Sequence, residues 1–463
     1  MAYTTINKST DHFNTVTYSN AGDGAKAVTG VGFQPDLVWV KNRTLGYNAQ
    51  FHDAVRGASN GALYTNTTAA VDTGYPFSSF DSDGFTTGAQ GSNESQNSAS
   101  QVAWNWKAGS TAPAITYTVK VVSDSGNKYR FDDFGTSAVT LDLQEGGTYT
   151  FDQADSSNSG HPLRFYTASD KSGGEYTTGV TTNGTPGSSG AYTRITVAAS
   201  APTLYYQCSN HASMGGQANT NSIFGSSNFK GAVQSLVSAN TDAGFSIVKV
   251  SNLNSNTFGH GLNGTPGVVW SKRTDNTANW RVYYTGIASG NSLFLNSTSG
   301  TSSESSCISS TNSTTVTVTG SGNGGSAGTG TSVNYCFQEI NGFSKFGTYT
   351  GNGNADGTFV YTGFKPAWLM IKQVNTTGNW ALSDNKRHNS GGGNFVSHTL
   401  AANINNNESH FGGGSGNKQD YLSNGFKIRD TGGYANTNGG TYLYMAFAEA
   451  PLVGSNNIPC TAR

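Results

Sequence analysis

The chain has 463 residues, enough for several domains, and its 26 Lys and Arg against 27 Asp and Glu give a net charge of −1. That balance provides no basic surface for nucleic acid, so we expect no nucleic-acid partner. Charged residues make up only 11% of the chain, and 61 glycines stand against 10 prolines, which is typical of a turn-rich all-β protein. No apolar run approaches the roughly 18 residues of a membrane span, and no secretory leader opens the sequence, so neither is predicted.

One short sequence motif, called here the Pro-to-Lys phrase, occurs three times and predicts three related units. In each copy a Pro is followed six residues later by a Lys, with an apolar run between them. Because Pro lacks an N–H it fits the start or edge of a strand, and the apolar run indicates a buried strand. An Asn-Trp pair then follows in the second and third copies, and each copy closes on an aromatic strand. The phrases are Pro35 to Lys41, Pro266 to Lys272 and Pro366 to Lys372.

Each unit covers on the order of 100 residues with Gly, Asn and Ser turns, which is typical of a β-sandwich or jelly roll. We therefore expect an all-β, multi-domain chain. Its three sandwich repeats are predicted at residues 1–112, 226–342 and 343–453, with a tail at 454–463. The short link between the last two repeats predicts a rigid pair, and the three repeats together predict an elongated, modular body with one strand order in every copy.

A unit of a different kind lies between the first two copies, at residues 113–225. Ile115, Tyr117, Val119 and Val121 alternate with polar residues, which predicts a half-buried strand. Further short strands are expected up to residues 204–207. The pattern predicts a second type of β-sandwich, inserted between the first and second repeats.

This inserted unit carries a candidate metal site. Cys208, His211 and Met214 fall within seven residues, and His161 lies upstream. A thiolate, imidazoles and a thioether are the soft ligands that suit copper. The strand at 205–207 would present Cys208 at its end, and the Gly-ended loop would return His211 and Met214 over the metal. On this hypothesis Met214 is the long axial ligand; the alternative is a structural domain with a vestigial site, since Cys and Met also fill cores.

Other residues suggest no catalytic set. His52 and Asp53 are adjacent, so their side chains would leave a strand on opposite faces, and a surface pair is expected rather than a dyad. Trp280 and Trp380 are of the type that stacks on sugars, but they are equally typical of a core. Cys307 and Cys336 could pair only if their strands are neighbours, and Cys460 lies near the end of the chain, so free thiols are the expectation for all three.

Residues 114–221 resemble the cupredoxin superfamily. The resemblance lies in Gly146-Gly147-Thr148-Tyr149-Thr150-Phe151, in His161-Pro162-Leu163 and in the loop from Cys208 to Met214. It implies a Greek-key β-sandwich that binds copper. Only two residues separate His211 from Met214, fewer than in electron-transfer cupredoxins. The ligands implied by the resemblance are His161, Cys208, His211 and Met214.

The three repeats resemble an uncharacterised β-domain of structural proteins from marine bacteriophages, often labelled tail fibre or tail protein. The resemblance lies in Gly-Phe-x-Pro at 32–35 and 363–366 and in the closing strand at 442–449. It implies a non-enzymatic virion protein, such as a tail fibre, an appendage or a capsid decoration, that is assembled in the host cytoplasm.

The expected partners are other virion proteins and copies of the chain itself, with a trimer preferred, and no membrane. Contact with host surface glycans through exposed aromatic loops is the accompanying hypothesis. The alternative function is that of a copper-binding, cupredoxin-type electron-transfer or metal-storage protein.

Overall fold

The computed structural model describes residues 4–20, 22, 24–88, 98–109, 112–220, 224–251, 255–304, 307–320, 330–387, 394–408, 418–432 and 434–453. These residues form 37 strands and three single-turn 3-10 helices. The prediction of an all-β fold made of several β-sandwiches is confirmed. Over the same residues, no helix has the length and apolar character that crossing a bilayer would require.

The first repeat contains one large and one small sheet. Its elements are η1 (Ser9–Asp11), β1 (Phe13–Ser19), β2 (Ala27–Thr29), β3 (Leu37–Asn42), β4 (Gln50–Asp53), η2 (Ala58–Asn60), β5 (Leu63–Tyr64), β6 (Ser79–Asp81), β7 (Gly84–Thr86) and β8 (Ser100–Trp106). The large sheet has the order β1-β8-β3-β4-β5, and the small sheet has the order β2-β7-β6.

The inserted unit is a sandwich of two sheets around its own hydrophobic core. Its elements are β9 (Ala114–Ser123), β10 (Asn127–Phe131), β11 (Leu141–Asp142), β12 (Thr148–Asp152), η3 (Ser156–Asn158), β13 (Leu163–Tyr166), β14 (Val180–Asn183), β15 (Tyr192–Thr196), β16 (Leu204–Cys208) and β17 (Gln217–Asn219). One sheet has the order β10-β9-β12-β15-β14 and the other the order β11-β17-β16-β13.

The second repeat has an enlarged sheet of eight strands. Its elements are β18 (Ser226–Asn228), β19 (Ser235–Asn240), β20 (Phe245–Ser251), β21 (Thr257–Gly259), β22 (Val268–Arg273), β23 (Arg281–Tyr284), β24 (Asn291–Phe294), β25 (Ser302–Ser303), β26 (Cys307–Thr311), β27 (Thr315–Thr319) and β28 (Thr331–Phe337). The large sheet has the order β18-β19-β20-β28-β22-β23-β24-β25, and the small one β21-β27-β26. Strand β18 also contacts the inserted unit, since the Tyr117 hydroxyl donates to the Ser227 carbonyl (2.8 Å).

The third repeat again has two sheets. Its elements are β29 (Ser344–Thr350), β30 (Phe359–Tyr361), β31 (Phe364–Gln373), β32 (Trp380–Asp384), β33 (Phe395–Val396), β34 (Leu400–Ala401), β35 (Gln419–Leu422), β36 (Gly425–Ile428) and β37 (Thr441–Pro451). The large sheet has the order β29-β37-β31-β32-β34, and the small one β30-β36-β35-β33.

The three repeats share one topology. In each, the closing strand lies between the opening strand and the strand that follows the Pro-to-Lys phrase: β1-β8-β3, β20-β28-β22 and β29-β37-β31. The small sheets also correspond, as β2-β7-β6, β21-β27-β26 and β30-β36-β35. The repeat architecture expected from the phrase is therefore present in the strand order as well as in the sequence.

Each large sheet is a middle layer, which explains why its central strands are apolar on both faces. In β3, Leu37 and Trp39 belong to a core cluster shared by all three repeats. Val38 and Val40 point the other way, into a cluster with Val28 and Phe85 of the small sheet. Successive side chains of a strand alternate between faces, so a strand buried on both sides loses the polar half of its pattern.

The shared core lies on an approximate threefold axis. Trp106, Phe337 and Phe447 occupy the same position in the closing strands β8, β28 and β37. Their ring centroids are 6.5, 6.0 and 5.7 Å apart around a closed triangle. Aromatic faces of this size are buried only when all three repeats meet. The expectation of an elongated body is therefore wrong: the repeats pack around one core instead of following each other in a line.

The lysines that end the three Pro-to-Lys phrases connect the three repeats in a cycle. Each is buried. Each donates from Nζ to a backbone carbonyl of another repeat: the first repeat donates to the third, the third to the second and the second to the first. The contacts are Lys41 to Ile404 (2.7 Å), Lys372 to Thr298 (2.8 Å) and Lys272 to Thr68 (3.2 Å). Burial lowers the pKa of Lys41 to about 7, with a further contribution from the Arg387 guanidinium.

We expect the buried Lys41 to make stability depend on pH. Its pKa is about 7 in the folded state and about 10.4 in an unfolded chain. Between these values the unfolded state holds more protons, so the free energy of unfolding rises with pH, by up to ~1.4 kcal/mol per pH unit from this group. Chemical denaturation at pH 7, 8 and 9 should show a smaller rise for Lys41→Met than for the unsubstituted protein.

The control is Lys8→Met, which removes an exposed lysine that pairs with Asp11. It should leave the slope unchanged. Equal slopes for the unsubstituted protein and for Lys41→Met would contradict the burial of a charged amine at this position.

Candidate metal centre

The sheet register brings the predicted histidine to the predicted cysteine. Strands β13 and β16 are antiparallel neighbours, with Leu163 opposite Cys208. His161 lies two residues before Leu163 and is therefore beside the end of β16. The chain after Cys208 turns back toward β17, and His211 lies in that turn. Two strand ends and one loop thus supply the three groups.

The ligand atoms lie at metal-binding distances from one another. Cys208 Sγ is 3.8 Å from His161 Nδ1 and 3.5 Å from His211 Nδ1. The three ligand atoms all lie within 4.8 Å of one another. With a metal–sulfur bond of about 2.3 Å and a metal–nitrogen bond of about 2.0 Å, tetrahedral or trigonal ligation separates S and N by roughly 3.5–3.8 Å. A metal-free thiol satisfies both contacts only by donating to one ring and accepting weakly from the other.

The site is closed on the protein side and open to solvent on the other. Cys208 is fully buried, His161 is half-buried and His211 is exposed. Burial, followed by the charge of His211, lowers the pKa of His161. A lowered pKa favours the neutral imidazole, which is the form that coordinates metals.

Met214, the fourth predicted ligand, lies at the end of the loop. Its side chain is buried in the same hydrophobic cluster as Cys208. Its N–H donates to Gln207 Oε1 (3.1 Å), and its carbonyl accepts from the Tyr129 N–H (2.8 Å). The structure thus brings His161, Cys208 and His211 together and anchors Met214 in the adjoining core. Axial ligation by Met214 stays a prediction.

Lys171 holds the loop from outside, and sequence reasoning did not identify it. Its Nζ donates to the carbonyls of Cys208 (3.2 Å), Ser209 (3.2 Å) and His211 (3.5 Å). One ammonium group therefore bridges both ligand-bearing ends of the turn. Nothing in the local sequence around Lys171 indicates this role, because the contact depends on how two distant loops pack.

The His161 side is held from inside the domain. The Tyr129 hydroxyl and Gln153 Nε2 both donate to the His161 carbonyl, at 2.8 and 2.9 Å. Asn210 Nδ2 donates to the Gly160 carbonyl at 3.0 Å, which ties the loop to the segment that carries His161. The backbone that carries the three groups is therefore held by the protein's own hydrogen bonds, which limits the reorganisation needed for binding.

Trp280 and Trp380 serve the core and do not form sugar-stacking surfaces. Both are fully buried. Their indole N–H groups donate to the carbonyls of Tyr64 and Phe294, each at 2.9 Å and each in another repeat. Their repeated position is explained by the contact between repeats.

The expectation of a surface pair at His52 and Asp53 is wrong, because both are buried on β4. The His52 ring stacks on Phe77 at 3.8 Å between centroids, and the Asp53 carboxylate is bound by Arg56 (2.5 Å). The strand lies between two layers, so each face of the pair meets protein. Among the described cysteines, Cys307 and Cys336 are unpaired and buried, while Cys460 lies outside the described residues.

Comparison with known proteins identifies the family of the repeats. A family model described as a domain of unknown function, DUF7483, matches residues 8–140 and 217–451. The chain belongs to the DUF7483 family. The match leaves out residues 141–216, which carry all four predicted ligands, so membership of DUF7483 does not depend on the metal centre. No curated protein and no solved structure is similar enough to match.

We expect Lys171→Met to weaken metal binding without removing a ligand. Loss of the ammonium frees three carbonyls of the loop, and loss of such outer support typically lowers metal affinity ~10- to 100-fold. The measurement is a competition titration of copper against a chelator. Lys120→Met, which removes a lysine paired with Asp133 in the same domain, is the matched control and should retain full affinity. Equal affinities for both variants would contradict the role assigned to Lys171.

Proposed function

We propose that this chain is a non-enzymatic structural protein of a bacteriophage virion, in a tail fibre, an appendage or a capsid decoration. The observation that carries the proposal is the shared core, which joins three repeats of one topology into a single body. Such a body is rigid, while its many surface loops can vary without disturbing the core. The phage setting rests on the resemblance of the repeats to phage structural proteins.

The buried charged groups favour a structural role over catalysis. Buried ionisable groups in a cleft are the usual candidates for catalytic residues. Here two buried carboxylates are used in contacts between repeats: the Tyr335 hydroxyl donates to Asp53 (2.7 Å), and the Trp104 indole donates to Asp384 (2.9 Å). Each carboxylate also binds an arginine of its own repeat. These carboxylates have no free face for a substrate.

We also propose other virion proteins and further copies of the chain as its partners, with assembly in the host cytoplasm. One proposed arrangement of the chain in the particle is the homotrimer expected of a fibre-like protein. The internal threefold arrangement of repeats favours a second, in which one chain occupies a threefold position of the particle by itself.

The test of the virion role is mass spectrometry of gradient-purified particles. We expect the chain to co-migrate with particles at a fixed ratio to the major structural proteins, and antibody labelling to place it on the outside. A chain absent from the particles, or one that turns over a substrate at an enzyme-like rate, would overturn the proposal.

We propose copper binding by the inserted domain as a second function. It is supported by the 3.5 and 3.8 Å separations of one sulfur and two imidazole nitrogens, a soft ligand set that suits copper. A metal that binds only the folded domain adds to its stability. Within a body of packed repeats we favour this stabilising role, with electron transfer or metal storage as the alternative.

We expect the purified protein to take up about one copper ion per chain and to show a thiolate-to-copper absorption band. The melting temperature of the inserted domain should rise with copper. Cys208→Ser should abolish both effects, because a hydroxyl does not replace the thiolate. Cys307→Ser, which changes another buried free cysteine, should retain them. Copper uptake by Cys208→Ser equal to that of the unsubstituted protein would contradict the site.

A further inference from the structure

The small sheet of the third repeat exposes three aromatic rings on one face. Phe359 and Tyr361 on β30 are 44% and 55% exposed, and Phe395 on β33 is 38% exposed. Val360, between the first two, is buried. The outward residues of β30 are thus the aromatic ones, although water-facing positions of a half-buried strand are normally polar.

The register places two of these rings at the ends of one row across the sheet. Phe359 lies opposite Lys427, Lys427 opposite Asp420, and Asp420 opposite Phe395. With strands about 4.8 Å apart, three spacings separate the end residues by ~14 Å. Tyr361 begins the next row on the same face and lies opposite Gly425. We call this set of residues the aromatic row.

The middle of the aromatic row carries balanced charge. Lys427 pairs with Asp356 (2.6 Å), and Arg429 pairs with Asp356 (3.5 Å) and with Asp420 (2.6 Å). Two cations and two anions give no net charge. The face therefore has no electrostatic attraction for anionic lipids or nucleic acid. It does offer both hydrogen-bond donors and acceptors within reach of the rings.

The other two repeats show that the fold does not need the two rings on β30, and in the part of the chain that the structure describes their small sheets have no counterpart of β33. In the first repeat the positions of Phe359 and Tyr361 are Ala27 and Thr29, paired with β7 in the same register. The second repeat has Thr257 and Gly259 there.

Nor does the fold need the charges between the rings. The positions of Lys427 and Asp420 are Thr86 and Ser79 in the first repeat, and Thr317 and Ser310 in the second. Among the described residues of the three small sheets, only those of the third repeat thus expose aromatic rings and charged pairs on this face. Exposed aromatic surface favours association and marks a binding site when the fold does not require it.

We propose that the aromatic row binds a neutral oligosaccharide. Sugar rings present C–H faces that pack on aromatic rings, and their hydroxyl groups both donate and accept hydrogen bonds. The row offers rings at its two ends and paired donors and acceptors between them, over ~14 Å. A protein partner would favour a continuous apolar centre depleted of charge, which the charged middle of this row does not provide.

The biological setting of this site rests on the proposed virion function, since a ring-bearing face displayed on a particle would meet glycans of the host surface. The two proposals fail separately. A chain that binds sugars but is absent from particles retains the site and loses the virion role. A chain present in particles that binds no sugar retains the virion role and loses the site.

The test uses the purified full chain on an array of neutral oligosaccharides: glucans, galactans, mannans and N-acetylhexosamine oligomers. We expect binding to at least one class, confirmed by calorimetry. The double variant Phe359→Ala with Tyr361→Thr introduces the residues of the first repeat and should weaken binding at least ~10-fold, because two stacking contacts are lost. Its melting temperature should be unchanged.

The matched control is Tyr75→Ala, which removes a ring of similar exposure (37%) in the first repeat and should retain binding. Absence of binding to every neutral class overturns the proposal, and so does equal binding by the double variant. Binding of the chain to phosphatidylcholine or phosphatidylserine vesicles, lost in the double variant, would assign the face to a membrane instead.

Discussion

The triangle of Trp106, Phe337 and Phe447 is the contact on which the rest of the structure depends. Each ring comes from the closing strand of a large sheet, and each lies within 6.5 Å of the other two. A single repeat would leave its ring, and the apolar face around it, in water. The hydrophobic effect therefore acts on the three repeats as a set. Repeats normally bury their apolar faces by stacking along a line, which leaves a terminal repeat at each end. Here the three repeats pack in a ring, so the other two repeats cover the apolar face of each one at the axis.

Polar contacts between the repeats run in the same cyclic order as the contacts of the three buried lysines. At one of the three interfaces both the donor and the acceptor are absent. Asp53 of the first repeat accepts from Tyr335 of the second, and Asp384 of the third accepts from Trp104 of the first. At the remaining interface the donor position is Met445, and the second repeat has no aspartate in the corresponding place. The residue in that place is Tyr284, which is half-buried. A buried group without a partner costs about 1–3 kcal/mol, and the joint absence of the indole or hydroxyl donor and of the aspartate avoids that cost at this interface.

The inserted domain is organised independently of that axis. Its core, which contains Cys208 and Met214, is separate from the shared core of the repeats but includes Phe229 of the second repeat. The DUF7483 match covers its first strands up to residue 140 and leaves out residues 141–216. Its link to the second repeat includes the bond from Tyr117 to Ser227 on β18 and the one from Gln234 to the Thr140 carbonyl. The His–Cys–His cluster therefore lies outside the part of the chain that the family model matches. Its geometry depends on local loops, and the body can serve as a scaffold whether or not the cluster holds a metal.

The sequence by itself determined the fold class, the repeated strands and three groups of the candidate metal centre. Strand alternation and turn residues are local, and Cys208 and His211 are only three residues apart. Tertiary structure decided what those strands pack against. An apolar run such as the one ending at Lys41 predicts that a strand is buried, but it does not predict which surface packs on that strand. It also decided that Lys171 supports the metal loop, through a contact between distant loops. Only the tertiary structure shows that Phe359 is exposed to solvent. From the sequence, an aromatic residue in a strand is expected in the core, and the sequence does not show that the neighbouring layer covers only the opposite face of this strand.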